Sequence, residues 1–155
     1  MQLYLLRHAH ALDGDDDAAR PLSKKGREQI DALADFLRGK ELFAPTEIWH
    51  SPLVRAHETA SRLARKLELT KTPLVETGGL LPEDDVRRIA ATLKTACDSL
   101  ALVGHEPHLS ALASLLVTGV AEPPAFVFKK GTLLALDRIV SGWAVRWQVS
   151  PELLP

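Results

Sequence analysis

The chain has 155 residues, which is enough for one domain with a sizeable apolar core. Its net charge of -1 excludes the overall basic field that attracts nucleic acids or anionic membranes. No apolar run approaches the ~20 residues that span a bilayer, and the N-terminus has no leader-like pattern. We therefore expect a cytoplasmic protein with no nucleic-acid or membrane partner. Hydrophobic periodicity then predicts the elements along the chain.

Six short apolar runs predict strands, and four amphipathic segments between them predict helices. The predicted strands are residues 3–6, 46–52, 72–77, 99–105, 132–139 and 143–150. The first helix lies between an N-cap at Ser23 and a stop at Gly39, and the second has Ser51 as its N-cap. The third follows the acidic residues 83–85, and the fourth ends before Gly119.

This order, four strand–helix pairs followed by two strands, is typical of an α/β fold. We predict a single three-layer α/β/α domain over residues 1–155, with a mostly parallel central sheet and helices on both faces. The single cysteine, Cys97, falls on the apolar stripe of the third predicted helix. We therefore expect a buried, unreactive thiol.

The histidines lie within a few residues of the carboxyl ends of predicted strands, the edge at which such sheets bind ligands. In chain order they are His8, His10, His50, His57, His105 and His108. Arg7 and Arg55 lie at the same edge. Guanidinium groups suit phosphate oxygens, and a neutral imidazole is a nucleophile that can carry a phosphoryl group. The pattern therefore predicts phosphoryl chemistry.

Three segments in register carry a family resemblance: "LLRHAHA", "SPLVRAHETA" and "LALVGHEPHLS". They resemble the signature segments of the histidine phosphatase superfamily, whose fold is phosphoglycerate mutase-like. Ala9 stands where the family usually has glycine, so the loop must not need a positive φ there. The "RPLSKKG" segment, the short length and the ending "WQVSPELLP" resemble the small bacterial phosphohistidine phosphatases of the SixA type.

The resemblance implies a hydrolase with no cofactor or metal, in which His8 carries the phosphoryl group. Arg7, Arg55 and His105 are then catalytic and bind the phosphoryl oxygens, and Arg20 lines the entrance. The implied partner is a protein that contains phosphohistidine, such as a phosphotransfer domain. A monomer is the default expectation.

Many members of this superfamily use a carboxylic acid after the third strand to protonate the leaving group. The candidate proton donors in this chain are Glu83 and Asp84, although neither lies in a pattern that matches the family firmly. Helix capping is the ordinary role of such residues. Because phosphohistidine has a labile P–N bond and an imidazole leaving group, a site without a dedicated acid favours it over sugar phosphates.

Three alternatives remain open at the level of sequence. Two histidine pairs are spaced like metal ligands, with acidic residues in the segment 13–17, which fits a metallohydrolase. The pairs are His8 with His10 and His105 with His108. The fixed charges of Arg7 and Arg55 oppose a cation there. The other two alternatives are a broader small-molecule phosphomonoesterase of the same superfamily and a non-catalytic phosphoprotein-binding module.

Overall fold

The computed structural model describes all 155 residues and contains one six-stranded sheet. The strands are β1 (Gln2–Arg7), β2 (Glu47–His50), β3 (Leu74–Glu76), β4 (Leu100–Gly104), β5 (Leu133–Ile139) and β6 (Gly142–Val149). The helices are α1 (Lys24–Leu37), α2 (Val54–Lys66), α3 (Val86–Thr95) and α4 (His108–Thr118). Short 3₁₀ helices span Asp17–Ala19 and Pro151–Leu153.

The strand order is β3-β2-β4-β1-β5-β6. The first four strands are parallel, whereas β5 runs antiparallel to β1 and β6 antiparallel to β5. One apolar cluster packs α1 and α2 against one face of the sheet, and a second packs α3 and α4 against the other. The predicted α/β class, with a mostly parallel sheet covered on both faces, is confirmed.

Local sequence signals fix three helix ends. The Ser23 hydroxyl accepts from the Gly26 amide at 3.0 Å and caps α1, and the Asp85 carboxylate caps α3 in the same way. Gly119 ends α4 in the left-handed conformation, with φ at 84°. These three predictions are confirmed.

Two local predictions are wrong. Helix α3 ends at Thr95, because Ala96 adopts an extended conformation, so Cys97 lies in the following loop and is exposed rather than buried. Helix α2 begins after Leu53, and Ser51 precedes its cap by two residues. The Ser51 hydroxyl accepts a 3.3 Å hydrogen bond from the Leu53 amide, but its shorter bond goes to His105.

The three central strands end side by side. Arg7 lies opposite Gly104, and His50 lies opposite Val103. Because these strands are parallel and their last residues are paired, the residues that follow them lie at the same edge of the sheet. The structure contains no helix that is both long enough and apolar enough to cross a membrane.

Candidate active site

His8 and His105 lie together at this edge. Each follows a central strand, and the His8 amide continues the ladder by donating to the Gly104 carbonyl at 3.0 Å. The centroids of the two imidazole rings are 5.0 Å apart, and the residues His8 and His105 are 6% and 1% exposed, respectively. The sequence placed both histidines at strand ends, and the sheet register makes them neighbours.

The contacts of His8 define its tautomer. Its Nδ1 lies 2.7 Å from the Ala9 carbonyl oxygen. Because a carbonyl only accepts, Nδ1 carries the proton and donates it, so Nε2 holds a free lone pair. Burial and, to a smaller extent, the neighbouring His105, Arg55 and Arg7 together lower the pKa of His8 to about 3, against the opposing effect of the Ala9 hydrogen bond. His8 is therefore neutral and nucleophilic at neutral pH.

Ala9 fits the loop where the family usually has glycine. It does not adopt a positive φ, which in non-glycine residues occurs only at Glu41 and Glu68. Its methyl group is fully buried in the core cluster beside α1 and α2. The Ala9 amide donates to the Thr59 hydroxyl at 3.0 Å, and Thr59 donates to the Arg55 carbonyl at 2.7 Å. Thr59 thus joins the His8 loop to the first turn of α2.

Arg55 is 5% exposed, and its guanidinium contacts the 3₁₀ helix that begins at Asp17. Nη1 donates to the Asp17 carbonyl oxygen at 2.8 Å, and Nη2 lies 3.3 Å from the Asp17 carboxylate. Arg20 donates to the same carboxylate at 2.9 Å. Hydrogen bonding by Arg20 and the charge of Arg55 lower the pKa of Asp17, so this carboxylate is ionised at neutral pH. Asp17 therefore orients two of the predicted phosphate-binding arginines.

Arg7 has part of its hydrogen-bonding capacity free. Its Nη1 donates to the Phe128 carbonyl at 2.7 Å, whereas its buried Nε has no partner. Burial lowers the pKa of Arg7, and the charge of Glu106 partly restores it. A buried guanidinium nitrogen without a partner costs free energy that an anion in the pocket would recover.

His105 is held by Ser51. Its Nε2 lies 2.5 Å from the Ser51 hydroxyl, while its buried Nδ1 has no partner. Burial lowers the pKa of His105 to about 4, with a further contribution from Arg55. We predict Ser51 as a helix cap from the sequence, and the structure instead makes it the partner of a site histidine. Its place in the "SPLVRAHETA" segment is the only sequence signal for this role.

The remaining sequence candidates lie around this centre. His10 is hydrogen-bonded through Nδ1 to the Ser23 hydroxyl at 2.6 Å. The rings of His50 and His57 pack edge to face, with their centroids 4.9 Å apart. His108 is buried at the start of α4 without a hydrogen-bond partner for either ring nitrogen.

The two candidate proton donors, Glu83 and Asp84, line a separate groove with His108. Asp84 accepts from the Leu81 amide at 2.9 Å, and neither carboxylate is hydrogen-bonded to His8, Arg55 or His105. No group of three or more histidine, cysteine, aspartate or glutamate side chains is close enough to hold a metal ion.

Sequence comparison assigns the family. The model of the histidine phosphatase superfamily (branch 1) matches residues 3–81. The chain belongs to this superfamily. It is therefore a phosphatase, a hydrolase of phosphoryl groups, as the sequence resemblance predicts. The matched residues include the His8 loop, Arg20, Ser51 and Arg55, so the family match contains most of the site residues described above.

SixA resembles the whole chain in sequence and in structure, and another protein shares its fold. The phosphohistidine phosphatase SixA of Escherichia coli (strain K12) is 29% identical over 156 residues, covering 97% of this chain and 94% of SixA. A structure of the protein histidine phosphatase SixA with tungstate has a TM-score of 0.85 at 27% identity and covers 99% of both chains. The α-ribazole phosphatase of Shigella flexneri shares the fold, with a TM-score of 0.79 at 19% identity over 97% of both chains.

Proposed function

We propose that this chain is a protein phosphohistidine phosphatase in which His8 is the nucleophile and Arg7, Arg55 and His105 bind the phosphoryl oxygens. The observation that carries the proposal is the free lone pair on His8 Nε2, beside two guanidinium groups and a second imidazole. A neutral imidazole attacks phosphorus, and fixed cations stabilise the charge on the transferring oxygens. Arg20 lines the entrance of this pocket and binds the phosphate group there.

The reaction has two transfers. In the first, His8 Nε2 forms a bond to phosphorus as the P–N bond to the substrate imidazole breaks, and that imidazole leaves with the proton it carries. In the second, water attacks phosphorus, the bond to His8 breaks, and inorganic phosphate leaves. His8 returns to its neutral form, with Nδ1 still donating to the Ala9 carbonyl.

The carboxylates near the site favour phosphohistidine over a phosphate ester. Asp17 contacts Arg55, but its lowered pKa keeps it ionised, so it is not a proton donor at neutral pH. Glu106, whose charge acts on Arg7, accepts hydrogen bonds from the Ser110 amide and hydroxyl, and Glu83 and Asp84 line the separate groove with His108. An alkoxide leaving group needs a proton donor worth about 10²–10⁴ in rate, whereas a protonated imidazole does not. The similarity to SixA over 97% of the chain supports the same substrate class.

A protein substrate is tested by comparing donors. The purified chain is incubated with a phosphotransfer domain phosphorylated on histidine and, separately, with a panel of sugar phosphates. We expect kcat/KM for the phosphoprotein to exceed that for every sugar phosphate. Faster hydrolysis of a sugar phosphate would instead support a small-molecule phosphomonoesterase and would contradict the proposal.

The nucleophile is tested by trapping the phosphoenzyme with rapid alkaline quenching, which preserves phosphohistidine. We expect the parent chain to carry the phosphoryl label and the His8→Ala variant to carry none. His10→Ala is the matched control, since it removes a histidine from the same loop that is bonded to Ser23. A labelled His8→Ala variant would overturn the assignment, and a parent chain that binds the phosphoprotein without ever being labelled would indicate a binding module.

A further inference from the structure

A turn that none of the sequence motifs contains reaches the phosphoryl pocket. Because β5 is antiparallel to β1, the residues that enter β5 lie at the edge where β1 ends. The Gly131 amide lies 3.1 Å from the Arg7 carbonyl oxygen and 3.3 Å from that of His8, and the Arg7 amide donates to Thr132 at 3.0 Å. Phe128, at the other end of the turn, accepts from the Arg7 guanidinium. The turn 128–132 therefore wraps the backbone and side chain of Arg7.

Two adjacent lysines in this turn have different surroundings. Lys129 is exposed, and its ammonium pairs with the Glu152 carboxylate at 2.8 Å. Lys130 is partly buried and makes neither an ion pair nor a hydrogen bond. An ammonium has three hydrogen-bond donors and is strongly hydrated. Removing part of its water without supplying an ion-pair partner is therefore unfavourable, and a bound anion would supply the missing acceptor.

The charges around Lys130 are mainly positive. Burial and the charges of Arg7, Arg20 and Arg55 lower the pKa of Lys130, and the nearby Asp13 offsets them only in part. Lys130 therefore adds a positive charge near Arg7, Arg20 and Arg55. Asp17 pairs with Arg20 and Arg55, Asp13 lies 4.0 Å from Arg20, and Glu106 acts on Arg7, so no carboxylate pairs with Lys130 itself. Such a cluster of like charges is stabilised when an anion binds among its members.

We propose that Lys130 is a further cationic ligand of the phosphoryl group, whose ammonium binds a non-bridging oxygen alongside Arg7 and Arg55. The proposal rests on the His8-centred phosphoryl site described above, and it does not depend on whether the donor is a protein. Lys130 touches the group that is transferred, so it acts on binding of the anion and on the charge that develops during transfer.

The test compares Lys130→Ala with Lys129→Ala, two variants that change the net charge equally and alter neighbouring positions of one turn. Tungstate binding to each folded variant is measured by calorimetry at fixed ionic strength. We expect Lys130→Ala to weaken binding about tenfold, as loss of a charge-assisted hydrogen bond does, and Lys129→Ala to change it less than twofold. Equal affinities in the two variants would overturn the proposal.

Lys130→Arg separates an ionic contact from packing. Because it keeps the charge and the donors, we expect it to hold tungstate within about threefold of the parent chain. A loss as large as that of Lys130→Ala would overturn the oxygen contact. KM and the rate of His8 labelling are measured in parallel. Tungstate binding that depends on Lys130 in a parent chain that never labels His8 would reject the proposed nucleophile and leave the Lys130 site standing.

Discussion

At the residue scale, the two nitrogens of His8 have different surroundings, and this difference sets its chemistry. Nδ1 faces the Ala9 carbonyl, and the ring is buried beside the cations Arg7 and Arg55. The proton therefore stays on Nδ1, and a second proton is disfavoured. An exposed histidine, with a pKa of about 6.5, would be partly protonated at the same pH.

This state of His8 is checked by NMR titration of the chain labelled in its histidine rings. We expect the His8 ring signals to stay constant from pH 8 to pH 5, since its pKa of about 3 lies well below that range. His8→Asn assigns the signals by removing them. A His8 midpoint near 6.5 would contradict the neutral nucleophile.

Ser51 is expected to position His105. Ser51→Ala removes the hydrogen bond to Nε2, and the other ring nitrogen already has no partner. We expect kcat/KM to fall about tenfold, with a loss of about 1 kcal/mol in the free energy of unfolding, typical of one buried hydrogen bond. Activity is measured at temperatures where the variant is fully folded, and an unchanged kcat/KM there would show that His105 is positioned by packing alone.

At the element scale, the first turn of α1 must approach the His8 loop closely. A Cβ built on Gly26 would lie 2.0 Å from the His10 carbonyl oxygen, which is backbone and fixed by the Ser23 amide. Helix propensity favours alanine over glycine by about 1 kcal/mol, but a clash with backbone outweighs that gain. Gly26 is therefore required by contact rather than by conformation.

Gly26→Ala is expected to lower the free energy of unfolding by roughly 1–3 kcal/mol and to reduce activity, because the clash moves the loop that carries His8. Gly78→Ala is the control, since its Cβ would meet no atom within 4 Å and its φ is not positive. Urea denaturation measures both variants. If the two lose equal stability, the clash has no energetic consequence.

At the scale of the whole molecule, burying neutral histidines couples folding to pH. The folded-state pKa values of His8 and His105 are about 3 and about 4, and the unfolded values are about 6.5. Below pH 6.5 the unfolded chain binds protons that the folded chain does not. The free energy of unfolding therefore keeps the whole contribution of these histidines above pH 6.5 and decreases as the pH falls toward 4.

The measurement is urea denaturation from pH 7.5 to 4.5. Each buried histidine contributes a slope of about 1.4 kcal/mol per pH unit in the lower part of this range. We expect His8→Asn to have a shallower slope than the parent chain by about that amount. Parallel pH profiles for the two proteins would show that His8 titrates alike in the folded and unfolded states.

The sequence by itself determined the fold class, three helix ends and the edge at which the candidate site lies. The spacing of apolar residues predicts the strands and helices, and local signals at Ser23, Asp85 and Gly119 predict helix ends. Parallel strands then place the residues that follow them at one edge of the sheet. His8, Arg7, Arg55 and His105 follow from that rule and from the family motifs.

Only the tertiary structure decided which side chains touch. The Ser51–His105 bond, the Asp17–Arg55 pair and the bond from Arg7 to the Phe128 carbonyl join segments that are far apart in the chain. They depend on strand register and on the antiparallel direction of β5, which residue patterns do not encode. The exposure of Cys97 likewise depends on one backbone dihedral at Ala96. Local periodicity reports what a segment prefers, whereas a contact depends on where a distant segment is placed.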